Sequence, residues 1–369
     1  MLTARALHHD QTTSNVTSYW VLFGLWLAGA LQFARSADSA ASRTAFFIVV
    51  AITTLMIGLR YQVGGDWNAY ILMYENIYFQ PFLPALDYSD PGYAALNWIG
   101  GQMNTGVWFP NLMCGILFMV GVGRLAQRQP QPWLAMLVAV PYLVIVVAMG
   151  YTRQAAAIGL ISFAIADANE QNVRRTLMII AVAALFHKTA ILMLPLVLGP
   201  IALRKIATAI FGGVVFLGLF VLLLLDQSDA LISNYVQSTY DSQGAGIRIA
   251  MNVFAGAIFL LLRKRMGMDP YQTTYWSLNA LLTFLSVIAL VNVSASSGVD
   301  RLSLFLIPLQ MVALSRLPQA LSSSGKPIIS AFLGIVLYAF AVQFVWLNYA
   351  TNAGSWIPYS TTITPAQSL

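Results

Sequence analysis

The stretch Gly58-Leu-Arg-Tyr-Gln-Val-Gly-Gly-Asp-Trp-Asn-Ala-Tyr70 concentrates side chains that could do chemistry. Arg60 carries a planar fork of donors that fits phosphate oxygens and stays charged at any relevant pH. Asp66 follows Gly64-Gly65, a backbone able to turn tightly, and is a candidate acid or base. Its alternative is to cap a helix beginning at Trp67. Farther along, His187 is the one histidine outside the first ten residues, and its neighbour is Lys188. An imidazole with an unperturbed pKa of about 6.5 suits proton transfer near neutrality. Arg153, Arg248 and Arg301 add three more cations. Together these groups suit a phosphate or diphosphate handled beside an acid and an imidazole. Glu75, Asp87, Asp90 and Asp300 are the other acids near them, and Asp300 is expected to pair with Arg301 beside it.

What is missing narrows the chemistry. Cys114 is the single cysteine, and no second His or Cys stands at metal-ligand spacing, so no metal is expected. There is no P-loop and no dinucleotide fingerprint. No cofactor is therefore expected, and the energy must come from the substrate. The stretch from 60 to 106 is rich in aromatics, among them Trp67, Tyr70, Tyr74, Tyr78, Tyr93 and Trp98. One reading is an interfacial aromatic belt. The other is a carbohydrate path, with Gln62, Asn68, Asn76, Asn97 and Asn104 taking hydroxyls.

These groups need elements to hold them, and composition says which. Of 369 residues, 59% are hydrophobic and 9% charged, where a soluble domain carries about 25% charged residues. Long apolar runs without strand-like alternation predict an all-α polytopic integral membrane protein, a single membrane domain over 1–369. The runs are 19–34, 44–59, 107–123, 133–150, 152–166, 176–199, 206–225, 247–262, 274–291, 299–314 and 327–347. A short helix is expected after Asp90, with Pro91 in its first turn. The polar tail 1–18 lacks the pattern of a cleaved signal peptide.

Net charge is +6, but the basic residues sit in short clusters between apolar runs, which reads as topology rather than as nucleic-acid binding. Six clusters hold 13 of the 19 Lys and Arg: Arg35 with Arg43, Arg124 with Arg128, Arg174-Arg175, Arg204-Lys205, Arg263-Lys264-Arg265, and Arg316 with Lys326. Placing all six in the cytoplasm requires an even number of crossings between them. The run 176–199 breaks that parity unless it turns back, and His187-Lys188-Thr189 interrupts it. The prediction is about ten transmembrane helices plus a re-entrant or paired short hairpin at His187. The large 60–106 loop, with short helices, and the 226–246 loop then lie outside. Arg60, Arg153, Lys188, Arg248 and Arg301 all fall at that outer side, against the positive-inside bias. Ionisable groups so placed tend to face a bundle interior or a watery cavity.

These residues resemble a known family. Arg60-Tyr-Gln-Val-Gly-Gly-Asp-Trp-Asn-Ala-Tyr70 is similar to the R-x-x-x-G-x-D-x-x-x-Y signature of the EpsG family, exopolysaccharide polymerases similar to Wzy. Asp90-Pro-Gly-Tyr93 resembles its acidic-x-Gly-Tyr element, with Asp90 where glutamate is common. Arg153-Gln154 resembles the R-Q element, and Phe186-His-Lys-Thr-Ala190 the F-H-x-[ST]-A element. Asp300-Arg301 and Trp356-Ile-Pro-Tyr359 fit more loosely.

The resemblance implies polymerisation of polyprenyl-diphosphate-linked repeat units at the outer face of a bacterial inner membrane, without nucleotide or metal. Its partners would be that lipid-linked oligosaccharide and membrane lipids, with room for other polysaccharide assembly or export proteins and none for nucleic acid. Arg60, Arg153 and Arg301, with Lys188 and Arg248, would bind the diphosphate and offset charge as it leaves. Asp66 or His187 would take the acceptor proton. Gln154, Trp67, Tyr70 and Tyr93 would bind substrate, the two tyrosines along the sugar path. The competing readings are a transporter or flippase of an anionic lipid-linked saccharide, and a membrane acyltransferase.

Overall fold

The computed structural model describes residues 16–34, 36–203, 214, 218, 244–292, 296–323 and 326–361. The expectations for Arg5, Arg35, Arg204, Lys205, the run 206–225 and nearly all of the 226–246 loop lie outside these residues. Among the described residues the chain is helical, with one isolated antiparallel bridge between Arg60 and Thr361. The helices are α1 (Thr17–Gln32), α2 (Ala40–Gly58), α3 (Trp67–Tyr78), α4 (Pro91–Gln102), α5 (Trp108–Gln127), α6 (Pro132–Ala139, continuing as a π-helix over Val140–Ala148) and α7 (Thr152–Ala166). They continue as α8 (Val173–Ala184), α9 (Leu194–Ala202), α10 (Ala245–Leu262), α11 (Pro270–Asn292), α12 (Ser296–Ser303), α13 (Pro308–Ala320) and α14 (Ile329–Tyr349).

Six helices among the described residues are long and apolar enough to cross a membrane: Ala40–Gly58, Trp108–Gln127, Ala245–Arg265, Pro270–Asn292, Gly298–Ala320 and Ile329–Tyr349. Pro132–Ala148, Thr152–Ala166 and Lys188–Ala202 are apolar but shorter. The run 176–199 is broken where the sequence is interrupted. α8 ends at Ala184, a turn passes through His187, and a 3-10 segment, Lys188–Met193, leads into α9. Leu185 at the turn accepts from the Gly92 N–H. Val197 accepts instead from the Tyr271 hydroxyl, at the start of α11. The chain therefore runs out and back.

α6 is the axis. Every residue from Trp133 to Gly150 is buried, as expected for a helix that is apolar all round. Pro141 has no N–H to give, and the helix widens to π geometry at this point. One carbonyl of the widened turn, Ile145, accepts from the Trp356 indole at 3.0 Å. α5 and α7 pack closely across glycine: a Cβ on Gly121 would overlap the Gly159 carbonyl, and one on Gly159 would overlap the Phe118 backbone. Where lipid tails are as apolar as leucine, such close backbone approach holds helices together. Gly159→Val is accordingly expected to lose most of the monodisperse detergent-solubilised protein, measured by size-exclusion chromatography at equal expression.

The two ends of the bundle differ. At one end Asp167 accepts from Arg124 at 2.9 Å and also pairs with Arg128. There Arg316 donates to Gln129 Oε1 and to the Met266 and Arg128 carbonyls. At the other end stand the residues of the Arg60–Tyr70 stretch. Between them, Asn252 donates to the Ser303 carbonyl and accepts from Gln310, which accepts from Tyr338, tying α10, α12, α13 and α14 inside the bundle.

Candidate functional site

The loop between α2 and α3 is shaped by its glycines. Gly64 has φ +107°, a left-handed conformation, and a Cβ there would run into the Met149 carbonyl. The chain can therefore lie flat against the end of α6. A strap from residues 355–361 closes over it. Ser355 accepts from the Gly64 N–H at 2.8 Å and Ser360 from the Tyr61 N–H at 2.9 Å. Trp356 is buried, packs on Gly150, and its carbonyl accepts from the Tyr19 hydroxyl at 2.6 Å.

Arg60 sits beneath this loop and is 0% exposed. Its Nε donates to the Val63 carbonyl, Nη1 to the Ile57 carbonyl at 2.5 Å, and Nη2 to Thr152 Oγ1 at 2.6 Å and Asn111 Oδ1 at 3.4 Å. Trp67 covers its face, 5.9 Å from ring centroid to guanidinium. This corrects the sequence-based expectation: Arg60 is spent inside the protein and does not reach open space. Asn111 and Thr152, which hold it, carried no sequence signal except that Thr152 adjoins Arg153.

The start of α4 docks on the hairpin turn. The Gly92 N–H donates to the Leu185 carbonyl at 2.7 Å. Asp90 accepts from Arg153 Nη1 at 2.8 Å through one oxygen and from the Lys188 N–H at 3.1 Å through the other. Ser89 adds a contact to the same Arg153 nitrogen. The acidic-x-Gly-Tyr element and the hairpin are thus one assembly, with Arg153 against it. Tyr70 lies in the field of Arg153 and 5.5 Å from Tyr93, ring to ring. Gln154, buried, donates to the Arg301 carbonyl at 2.6 Å and anchors α12 to α7.

Asp66 faces this group. Helix α3 does begin at Trp67, yet the Asp66 side chain makes no capping bond. Its carboxylate has no hydrogen bond or ion pair among the described residues, and it lies in the fields of Arg301 and Arg153. Burial pushes this carboxyl above its ordinary value, and the two arginines pull it part of the way back. Arg301 is exposed, with its guanidinium 5.8 Å from the centre of the Tyr151 ring. His187, in the hairpin turn outside the spans, senses Arg153, Arg301 and Lys188. Burial, then those three cations, push its imidazole down to about 3. A histidine so depressed is neutral at physiological pH and a weak base.

The structure therefore brings Asp66, Arg153, Arg301, His187 and Lys188 to one place. It places other expected residues elsewhere. Arg248 is engaged by Asp300 through two bonds of 2.6 and 2.5 Å, so Asp300 pairs across to α10 and not with its neighbour Arg301. Trp67, Tyr70 and Tyr93 are buried at 7%, 4% and 0% exposure. They pack behind the site and do not line an open sugar path. Tyr151, under Arg301, was not anticipated. Among the described residues no three His, Cys, Asp or Glu side chains converge as a metal site would require.

The EpsG family model matches residues 43–361, nearly the whole chain, and the chain belongs to the EpsG family. No curated protein and no solved structure matches it.

Proposed function

From that membership and this geometry we propose that the protein elongates exopolysaccharide from polyprenyl-diphosphate-linked oligosaccharide units, at the outer face of the bacterial inner membrane. The observation that carries the reading is the half-buried Asp66 carboxylate, unpartnered among the described residues and facing Arg153 and Arg301. A base beside two cations is what glycosyl transfer with a diphosphate leaving group needs. The acceptor hydroxyl oxygen attacks the anomeric carbon of the donor glycan. The carbon–oxygen bond to the diphosphate breaks, the lipid diphosphate departs with the bonding pair, and Asp66 takes the hydroxyl proton. Arg153, Arg301 and Lys188 hold the departing phosphates. His187, neutral, gives or receives a hydrogen bond at the same phosphates or at the sugar. Arg60 acts from behind, fixing the loop that carries Asp66.

In this reading the shorter helices complete about ten crossings, with the hairpin inserted between them and the site outside. Sidedness reporters fused at position 85 should read periplasmic, and at 128 and 265 cytoplasmic; the reverse pattern would put the site on the wrong face. The reaction is tested by incubating purified protein with a lipid-diphosphate-linked oligosaccharide. Longer chains are expected. Unaltered chains moved across a vesicle membrane would favour transport, and acylated sugar an acyltransferase.

A further inference from the structure

Asp90 is assigned no step in that reaction, yet it touches both halves of the site. One carboxylate oxygen takes Arg153 and the other the Lys188 backbone N–H. The side chain is 8% exposed, so it is a buried anion set between a cation and a peptide dipole. The next turn of chain repeats the attachment, because the Gly92 N–H donates to Leu185 and a Cβ at Gly92 would press to 3.0 Å from that carbonyl. Within the hairpin turn itself, His187 Nδ1 and Thr189 Oγ1 are buried without hydrogen-bond partners among the described residues. The attachments of the turn to α4 thus run through its backbone, and these two side-chain atoms are left to meet something else.

We infer that Asp90 is a positioning residue that fixes Arg153 against the hairpin turn, so that the guanidinium and His187 address one substrate phosphate at a set separation. This rests on the polymerase reading. The chemistry demands a carboxylate. Its two oxygens accept from two donors that approach from different elements. An amide in its place would present one oxygen and one NH2, and one donor would then face another donor. A glutamate keeps the charge and both acceptors but is one methylene longer, and restores the link in part.

Two measurements test it in the full-length protein reconstituted with a lipid-diphosphate-linked oligosaccharide. Asp90→Asn is expected to slow elongation about tenfold, the scale of a lost charge-assisted hydrogen bond, with Asp90→Glu recovering part of the rate. In an Arg153→Gln background the same Asp90→Asn change is expected to add less than about twofold, since the residue it positions is already gone. Equal losses in both backgrounds would mean that Asp90 supports the fold alone, and would overturn the inference. The second measurement needs no reaction. Hydrogen exchange at the Lys188 amide should be slow in the wild type and faster in Asp90→Ala. Unchanged exchange there removes the tether whatever the activity. Wild-type protein that elongates nothing while its Lys188 amide stays protected overturns the polymerase reading, and with it a catalytic purpose for Asp90.

Discussion

Asp66→Asn is expected to abolish chain elongation while the protein remains folded. The carboxylate makes no hydrogen bond or ion pair among the described residues, and it caps no helix. An isosteric amide therefore breaks no structural contact. What it removes is a proton acceptor, for which a loss of about 10²–10⁴-fold in rate is typical. The wild-type pH profile carries the same signature. Burial raises the Asp66 carboxyl above its ordinary value, and the base is the deprotonated form. Elongation should therefore fall as pH falls through that raised value, with its acid limb above that of an ordinary aspartate. Near-wild-type elongation by the amide variant would exclude Asp66 as the base. Monodispersity and thermal unfolding measured alongside separate chemistry from folding.

Arg60→Gln should do the opposite. Arg60 is 0% exposed and donates to two carbonyls, a hydroxyl and an amide oxygen. A shorter amide cannot reach all four, and each buried acceptor left empty costs about 1–3 kcal/mol. The expected result is a large drop in thermal stability and in folded yield. Elongation per folded molecule should fall much less than in the Asp66 variant. Full stability with lost elongation would return Arg60 to direct substrate contact. Arg301→Gln, at an exposed side chain, is expected to leave stability alone and weaken capture of the lipid diphosphate, read as a raised KM.

The contrast between Arg60 and Asp66 shows what the sequence could and could not reveal. Helix positions follow from apolar runs, and most observed ends fall within a few residues of them. The break at His187 was readable because crossing parity is a global constraint and a charged interruption is a local one. The gathering of Arg153, Lys188 and Arg301 at one end followed from the same parity. Burial was not readable. Arg60 and Arg301 look alike in sequence, and only packing shows that Asn111 and Thr152, from α5 and α7, absorb the first. The pairing of Asp300 failed for a related reason. Adjacent residues on a helix point about 100° apart, so Arg248 on another helix meets the carboxylate that Arg301 cannot. Among the aromatics of the 60–106 stretch, Trp67, Tyr70 and Tyr93 are buried, and the sequence does not tell a tyrosine that lines a cavity from one that floors it.

The strap at residues 355–361 also has a consequence in time. Its hydrogen bonds to Tyr61 and Gly64, and the anchoring of Trp356 on Ile145 and Tyr19, complete the loop that carries Asp66. During synthesis that loop emerges early and stands open while nearly three hundred further residues are inserted. The contacts that close this loop can therefore form only after the last helix, α14, has been made, so the Asp66 loop takes its final shape as one of the last events of folding.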